Sequence, residues 1–210
     1  MTAPSRPDDD RIAEIMVVCT ANICRSPLAA AMLEQEARQR LGPEPSLWVR
    51  SSGVHALEGH TAASGSLAEA EKRGLDLSHH RGAPTTRADV ERSDLVLTMT
   101  ESHRSAVNQR APGSGGKVFT LREFARLAAA LKPLEEGRAL RDRVRFLVRL
   151  AHGARSHVAR PAEPEDVADP YGGPDEGYRR MAAEIETLVG EIAPQLFGSE
   201  PPDAQPGHRN

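Results

Sequence analysis

Seven residues, Cys19 to Arg25, separate an apolar run from an Ala-rich helical pattern, and no other junction constrains the fold as tightly. Ile15-Met16-Val17-Val18 reads as a strand buried on both faces, the kind found in parallel sheets. Ser26-Pro27 reads as the start of a helix, because Pro in the first turn gives up no hydrogen bond. Leu28, Met32 and Leu33 supply the buried stripe of that helix, while Glu34, Glu36, Arg38 and Arg40 face water. A strand that enters a helix through so short a loop places the loop at the carboxyl end of a parallel strand, where α/β sheets bind ligands.

The loop holds the residue types that bind and attack a phosphoryl group. Its backbone N–H groups can converge on an anion, as in nests and at helix N-termini. The same positive field favours the thiolate form of Cys19. Arg25, six positions on, offers a planar fork of donors that grips two phosphoryl oxygens together. The plainer reading is a buried structural cysteine followed by a surface arginine, and the strand–loop–helix context weighs against it.

Further along, strands alternate with helices, which predicts an α/β sandwich on a parallel sheet. Strands are expected at 14–19, 47–52, 94–99 and 117–120. Helices are expected at 26–41, 62–73, 86–92, 101–110, 121–131 and 175–197. At 210 residues one domain is the default, here 12–198 between flexible tails at 1–11 and 199–210. Aromatic residues make up only 3%, so the core must be built from Leu, Val, Ile and Ala. A further helical segment, Leu134 to His152, within residues 132–165, carries Arg138, Arg141, Arg143, Arg145 and Arg149. It reads first as an extra helix packed on the body with a solvated Arg face, and alternatively as a basic lid at the site entrance.

Cys-Thr-Ala-Asn-Ile-Cys-Arg-Ser-Pro, residues 19–27, resembles the signature loop of the low-molecular-weight protein tyrosine phosphatases. Asp169-Pro170-Tyr171 is similar to the acid loop of that family, and softer echoes lie at Ser51-Ser52-Gly53, 77–81 and 94–99. The resemblance covers roughly 14–130 and 166–197, and it implies a four-stranded parallel sheet flanked by helices, with 132–165 as an extra helical insertion before the acid loop. It also implies hydrolysis of aryl phosphomonoesters through a phosphocysteine. Cys19 attacks phosphorus and Asp169 protonates the leaving oxygen, then takes a proton from water. Arg25 and the amides of Thr20, Ala21, Asn22, Ile23 and Cys24 hold the phosphoryl oxygens throughout. Asn22 can hold the loop through side-chain hydrogen bonds and Ser26 can donate to the Cys19 sulfur, and the resemblance adds Ser51 and His79 to that network. Ala21 stands where the family usually has Gly, so a small perturbation of the loop is expected. Cys24 is implied to be a redox partner of Cys19, through a disulfide that blocks activity reversibly.

For substrate, Tyr171 can supply one aromatic wall. Leu57 and Gly172 stand where relatives carry further aromatics, so the aryl-binding wall is expected to be poorer. Ile23 favours phosphotyrosine over phosphoarginine, because the related arginine phosphatases carry Thr there. An arsenate-reductase-like enzyme would need two more cysteines, and the chain has only two in all. A non-catalytic phospho-binding or regulatory module is the rival of another class. A net charge of −3 predicts no nucleic-acid partner, and no apolar run suffices to span a bilayer. Both cysteines lie in the loop, and no CxxC or HExxH occurs, so neither a metal nor another cofactor is expected. The polar start, Met1 to Arg11, does not read as a signal peptide, so the cytoplasm is expected. The implied partner is a phosphotyrosine-containing protein, for example a bacterial tyrosine kinase of polysaccharide export.

Overall fold

The computed structural model describes residues 11–135 and 137–199. The expected tails therefore lie outside the described residues, apart from Arg11 and Ser199. In chain order the elements are β1 (Ala13–Cys19), α1 (Arg25–Leu41), β2 (Leu47–Gly53), α2 (Ser64–Glu71), α3 (Arg87–Arg92), β3 (Leu95–Thr98), α4 (Glu101–Arg110), β4 (Val118–Thr120), α5 (Leu121–Ala129), α6 (Leu140–Ala154) and α7 (Asp175–Phe197). The four strands are parallel and ordered β2-β1-β3-β4. The direction of winding reverses at β1, so its carboxyl end, Cys19, is the natural ligand crevice of the sheet.

Alternation along the strands separates two apolar layers. Ile15, Val17, Leu95, Leu97 and Phe119 pack with α1, α5, α6 and α7. Met16, Val18, Val96 and Val118 point the other way, onto Val90 of α3 and Val107 of α4. All seven residues of β1 are buried, as an apolar run between two helical layers requires. α1 starts at the loop, with Pro27 in its first turn, and stops at Gly42, whose φ of 97° suits glycine and whose N–H reaches Arg38 O.

α2 is shorter than its apolar pattern suggests. The N–H of Ala63 donates to the Ile23 carbonyl, so this segment is tied to the phosphate loop and does not begin the helix. The inserted helix starts at Leu140, not Leu134, and buries Val144, Leu147, Val148 and Ala151. Its arginines are not merely a solvated face. Arg143 is 7% exposed and donates to the carbonyls of Pro194, Gln195 and Glu135, which fills acceptors at the end of α7. Arg141 and Arg145 pair with Asp94, which also accepts the Glu14 N–H. Asp94 precedes β3 and Glu14 lies at the start of β1, the opposite end of the sheet from Cys19. The alternative of a basic lid over the site is thereby overturned. Among the described residues no helix is long and apolar enough to cross a membrane.

Candidate active site

The loop between β1 and α1 is turned inside out. The carbonyls of Cys19, Thr20, Ala21, Asn22 and Ile23 accept hydrogen bonds from Val54 N, His55 N, Leu57 N, His80 Nε2 and Ala63 N respectively. A planar trans peptide points the next N–H away from each carbonyl. Five outward carbonyls therefore turn the amides of residues 20–24 toward the middle of the loop, the geometry of an anion nest. The N-terminus of α1 faces the same point and has no acidic residue in its first turn. Gly53, level with Cys19 in the sheet register, lets β2 approach the loop. A Cβ there would lie 2.5 Å from the Thr20 carbonyl oxygen and 3.0 Å from the Asn22 nitrogen.

Asn22 is the hub of the loop. It takes φ of 58°, a left-handed conformation that Asn tolerates better than most residues. Its amide donates to Ser26 Oγ (2.9 Å) and Ser51 Oγ (2.8 Å), and its Oδ1 accepts the Ala83 N–H. Ala21 has no positive φ, so the expected perturbation from replacing Gly does not arise there. Ser26 Oγ lies 3.0 Å from Cys19 Sγ and can donate to a thiolate. Arg25 is 3% exposed. Its Nη1 holds Val167 O (3.1 Å), and its Nη2 reaches both Thr20 Oγ1 (3.2 Å) and Asp169 Oδ2 (2.6 Å). Its buried Nε has no hydrogen-bond partner, a donor left for an anion in the nest. Asp169 is 44% exposed at its side chain, and its Oδ1 accepts the Tyr171 N–H. The rival carboxylate, Asp166, accepts the Glu101 N–H at the start of α4 and is occupied there.

Residues 14–148 match the low molecular weight phosphotyrosine protein phosphatase family. The chain belongs to this family. It is a protein phosphatase, hence a hydrolase. The protein-arginine-phosphatase of Geobacillus stearothermophilus is 30% identical to it over 182 residues, 87% of this chain and 95% of that protein. The probable low molecular weight protein-tyrosine-phosphatase EpsP of Ralstonia nicotianae is 37% identical over 113 residues, 54% of this chain and 73% of that protein. The crystal structure of the low molecular weight protein tyrosine phosphatase from T. tengcongensis superposes with a TM-score of 0.64 at 29% identity, covering 88% of this chain and 99% of that one.

Most residues expected at the site of this phosphatase converge around Cys19, with one exception. His79 is exposed, and its neighbour His80 reaches the loop, donating from Nε2 to Asn22 O at 2.6 Å. Burial holds His80 below the ordinary histidine range, so it serves as a neutral donor. Thr100 caps α4 by accepting the His103 N–H. Tyr171 (63% exposed) and Leu57 (37% exposed) leave large apolar surfaces open to solvent, as a substrate wall must. Cys24 is buried, with Sγ 3.9 Å from Tyr178 Oη. Burial pushes its thiol up to about 11, despite the opposing Tyr178 contact, so Cys24 stays protonated where a nucleophile must be ionised. Among the described residues no three His, Cys, Asp or Glu side chains gather as metal ligands.

Sequence reasoning missed His103. Its Nε2 lies 2.9 Å from Thr20 Oγ1, and its ring is 5% exposed on the first turn of α4. Burial, and then the charge of Arg25, hold it down to about 4, although Asp169 and Asp166 act in the opposite sense. The unfolded chain titrates near 6.5, so between that pH and about 4 it binds a proton that the folded chain refuses. Stability is therefore expected to be complete above pH 6.5 and to fall by up to about 3 kcal/mol as pH drops through this window. Urea unfolding from pH 7.5 to 4.5 should show this slope in the wild type and a shallower one in His103→Gln. Parallel slopes would remove the assignment.

Proposed function

We propose that this protein hydrolyses phosphotyrosine in proteins, with Cys19 as nucleophile, Arg25 and the loop amides as oxyanion donors, and Asp169 as general acid and then base. The observation that carries the reading is the run of five outward carbonyls from Cys19 to Ile23, with the unpartnered Arg25 Nε beside them. That arrangement presents fixed donors to the equatorial oxygens of a transferring phosphoryl group, which needs positioning and charge stabilisation above all. Ser26 donates to Cys19 Sγ as the thiolate attacks phosphorus and again when the sulfur leaves. In the free protein Asp169 pairs with Arg25. A bound phosphoryl group takes over that guanidinium and leaves the carboxyl at the leaving oxygen. The phosphocysteine is then hydrolysed by a water that gives its proton to Asp169.

Asp169→Ala is expected to lower kcat by about 10²- to 10⁴-fold on phosphotyrosine, whose phenol leaves poorly without a proton. The loss should be much smaller on p-nitrophenyl phosphate, whose leaving group is already a weak base. Equal losses on both would take the general-acid role away from Asp169.

A second reading, phosphoarginine hydrolysis, is favoured by the similarity to a protein-arginine-phosphatase along 95% of that protein. Ile23 supports phosphotyrosine: this 6% exposed apolar side chain fills the place where arginine phosphatases carry a Thr hydroxyl. Competition between phosphotyrosine and phosphoarginine peptides decides the matter, with kcat/KM expected to favour the tyrosine form. A preference for phosphoarginine would overturn the substrate and leave the loop chemistry standing. The partner we propose is a phosphotyrosine-bearing protein, and the family resemblance points to a bacterial tyrosine kinase of polysaccharide export.

A further inference from the structure

His103 touches the loop through one atom, and the rest of its hydrogen bonding shows which way that contact runs. Its Nε2 lies 2.9 Å from Thr20 Oγ1, while its Nδ1 is buried without a partner. If the Thr20 hydroxyl donated to Nε2, the imidazole hydrogen would sit on Nδ1 as a buried N–H with no acceptor. Such orphaned donors are rare in folded proteins, whereas an unused lone pair costs less. The tautomer that fits carries its hydrogen on Nε2 and donates it to Thr20 Oγ1. Arg25 Nη2 donates to the same oxygen at 3.2 Å. Both lone pairs of the hydroxyl are then filled, and only its hydrogen is left to bond.

We propose that His103 and Arg25 together oblige Thr20 to offer its hydroxyl hydrogen to the anion in the loop, which makes Thr20 a side-chain donor to a phosphoryl oxygen and His103 its positioning residue. The inference rests on the phosphatase reading of the loop. Burial beside Arg25 suits the neutral imidazole this arrangement uses. Thr20 adjoins Cys19, so its side chain hangs from the first inward-turned amide of the nest. A donor on that flank serves the same charge that Arg25 and the amides serve.

The test is a double-mutant cycle on Thr20→Val and His103→Leu, read as kcat/KM on a phosphotyrosine peptide and as Ki for orthovanadate, a mimic of the trigonal transition state. Thermal melts accompany each variant. Losing one hydrogen bond to a charged partner is expected to cost about 10- to 100-fold in both readouts for Thr20→Val. His103→Leu should lose a similar factor, and the double variant should be no worse than Thr20→Val alone. His103→Gln, whose side-chain amide can donate in place of Nε2, should recover most of the loss, and Thr20→Ser should stay within about threefold of wild type. Losses that multiply in the double variant, or an unchanged vanadate Ki in Thr20→Val, overturn the proposal. If His103→Leu does not fold, the Thr20→Ser and Thr20→Val pair decides alone: equal vanadate affinity in the two rejects it. Wild-type turnover that survives loss of Cys19 would instead reject the underlying phosphatase reading.

Discussion

Replacing Cys19 by Ser is expected to lower kcat on a phosphotyrosine peptide by at least about 10⁴-fold while inorganic phosphate still binds within about threefold of wild type. The two halves of this expectation come from different atoms. On the proposed mechanism phosphate is held by the amides turned inward between Thr20 and Cys24 and by the unpartnered Arg25 Nε, none of which the substitution removes. Turnover needs a group at the end of β1 that is both a good nucleophile and a good leaving group. A hydroxyl is neither near neutral pH, even with Ser26 Oγ 3.0 Å from the attacking position. Cys24 cannot take over, because its buried thiol is pushed up to about 11 and faces Tyr178. Cys24→Ser should therefore retain turnover, and rapid acid quench should trap a phosphocysteine in Cys24→Ser but not in Cys19→Ser. Undiminished hydrolysis by Cys19→Ser would sink the proposed mechanism.

The part of the site that could be read from the sequence is the part that is contiguous. β1, the loop and α1 follow one another without interruption, so local signals sufficed: an apolar run, a Cys and an Arg at fixed spacing, and a Pro in the first helical turn. Asp169 was legible through its motif, yet only the fold brings it 2.6 Å from a residue 144 positions away. His79 and His80 could not be ranked in advance, because neighbours in a loop point in directions set by the turn. The ring that reaches Asn22 O belongs to the second of them. His103 gave no local signal, since its contact with Thr20 spans 83 positions and depends on where α4 packs against the sheet. The arginines of α6 were visible as charge but not as partners. Arg143 is buried against carbonyls at the end of α7, which no charge pattern could reveal. Ala62 and Ala63 suited a helix, yet the backbone of Ala63 is committed to the phosphate loop.

The largest loss of stability from one exposed-looking charge is expected at Glu123, where Glu123→Ala should cost about 3–5 kcal/mol. Glu123 sits in the first turn of α5, where its N–H donates to Thr120 Oγ1, a cap worth about 1 kcal/mol that Glu123→Ala leaves in place. What the substitution removes is the carboxylate. The carboxylate is 5% exposed and accepts from Arg155 Nε (2.9 Å), Arg155 Nη2 (3.1 Å) and Arg104 Nη1 (2.9 Å). Burial alone would raise its proton affinity, but the hydrogen bonds and charges of the two guanidiniums outweigh it and hold the carboxyl below its ordinary range. Arg155 also lies over the Phe119 ring at 4.1 Å and donates to Gly115 O and Val118 O, so it fastens the end of the inserted helix to the β4 edge of the sheet. Removing Glu123 leaves two partly buried cations facing each other without an anion, whereas Glu123→Gln keeps an acceptor oxygen and should lose less. Urea midpoints for both variants check the order. The kcat of the folded fraction should change little, because the network lies at β4 and not at Cys19. A Glu123→Ala penalty below about 1 kcal/mol would mean that solvent replaces the carboxylate at the two guanidiniums, and that the inserted helix is held by Val144, Leu147, Val148 and Arg143 without help from it.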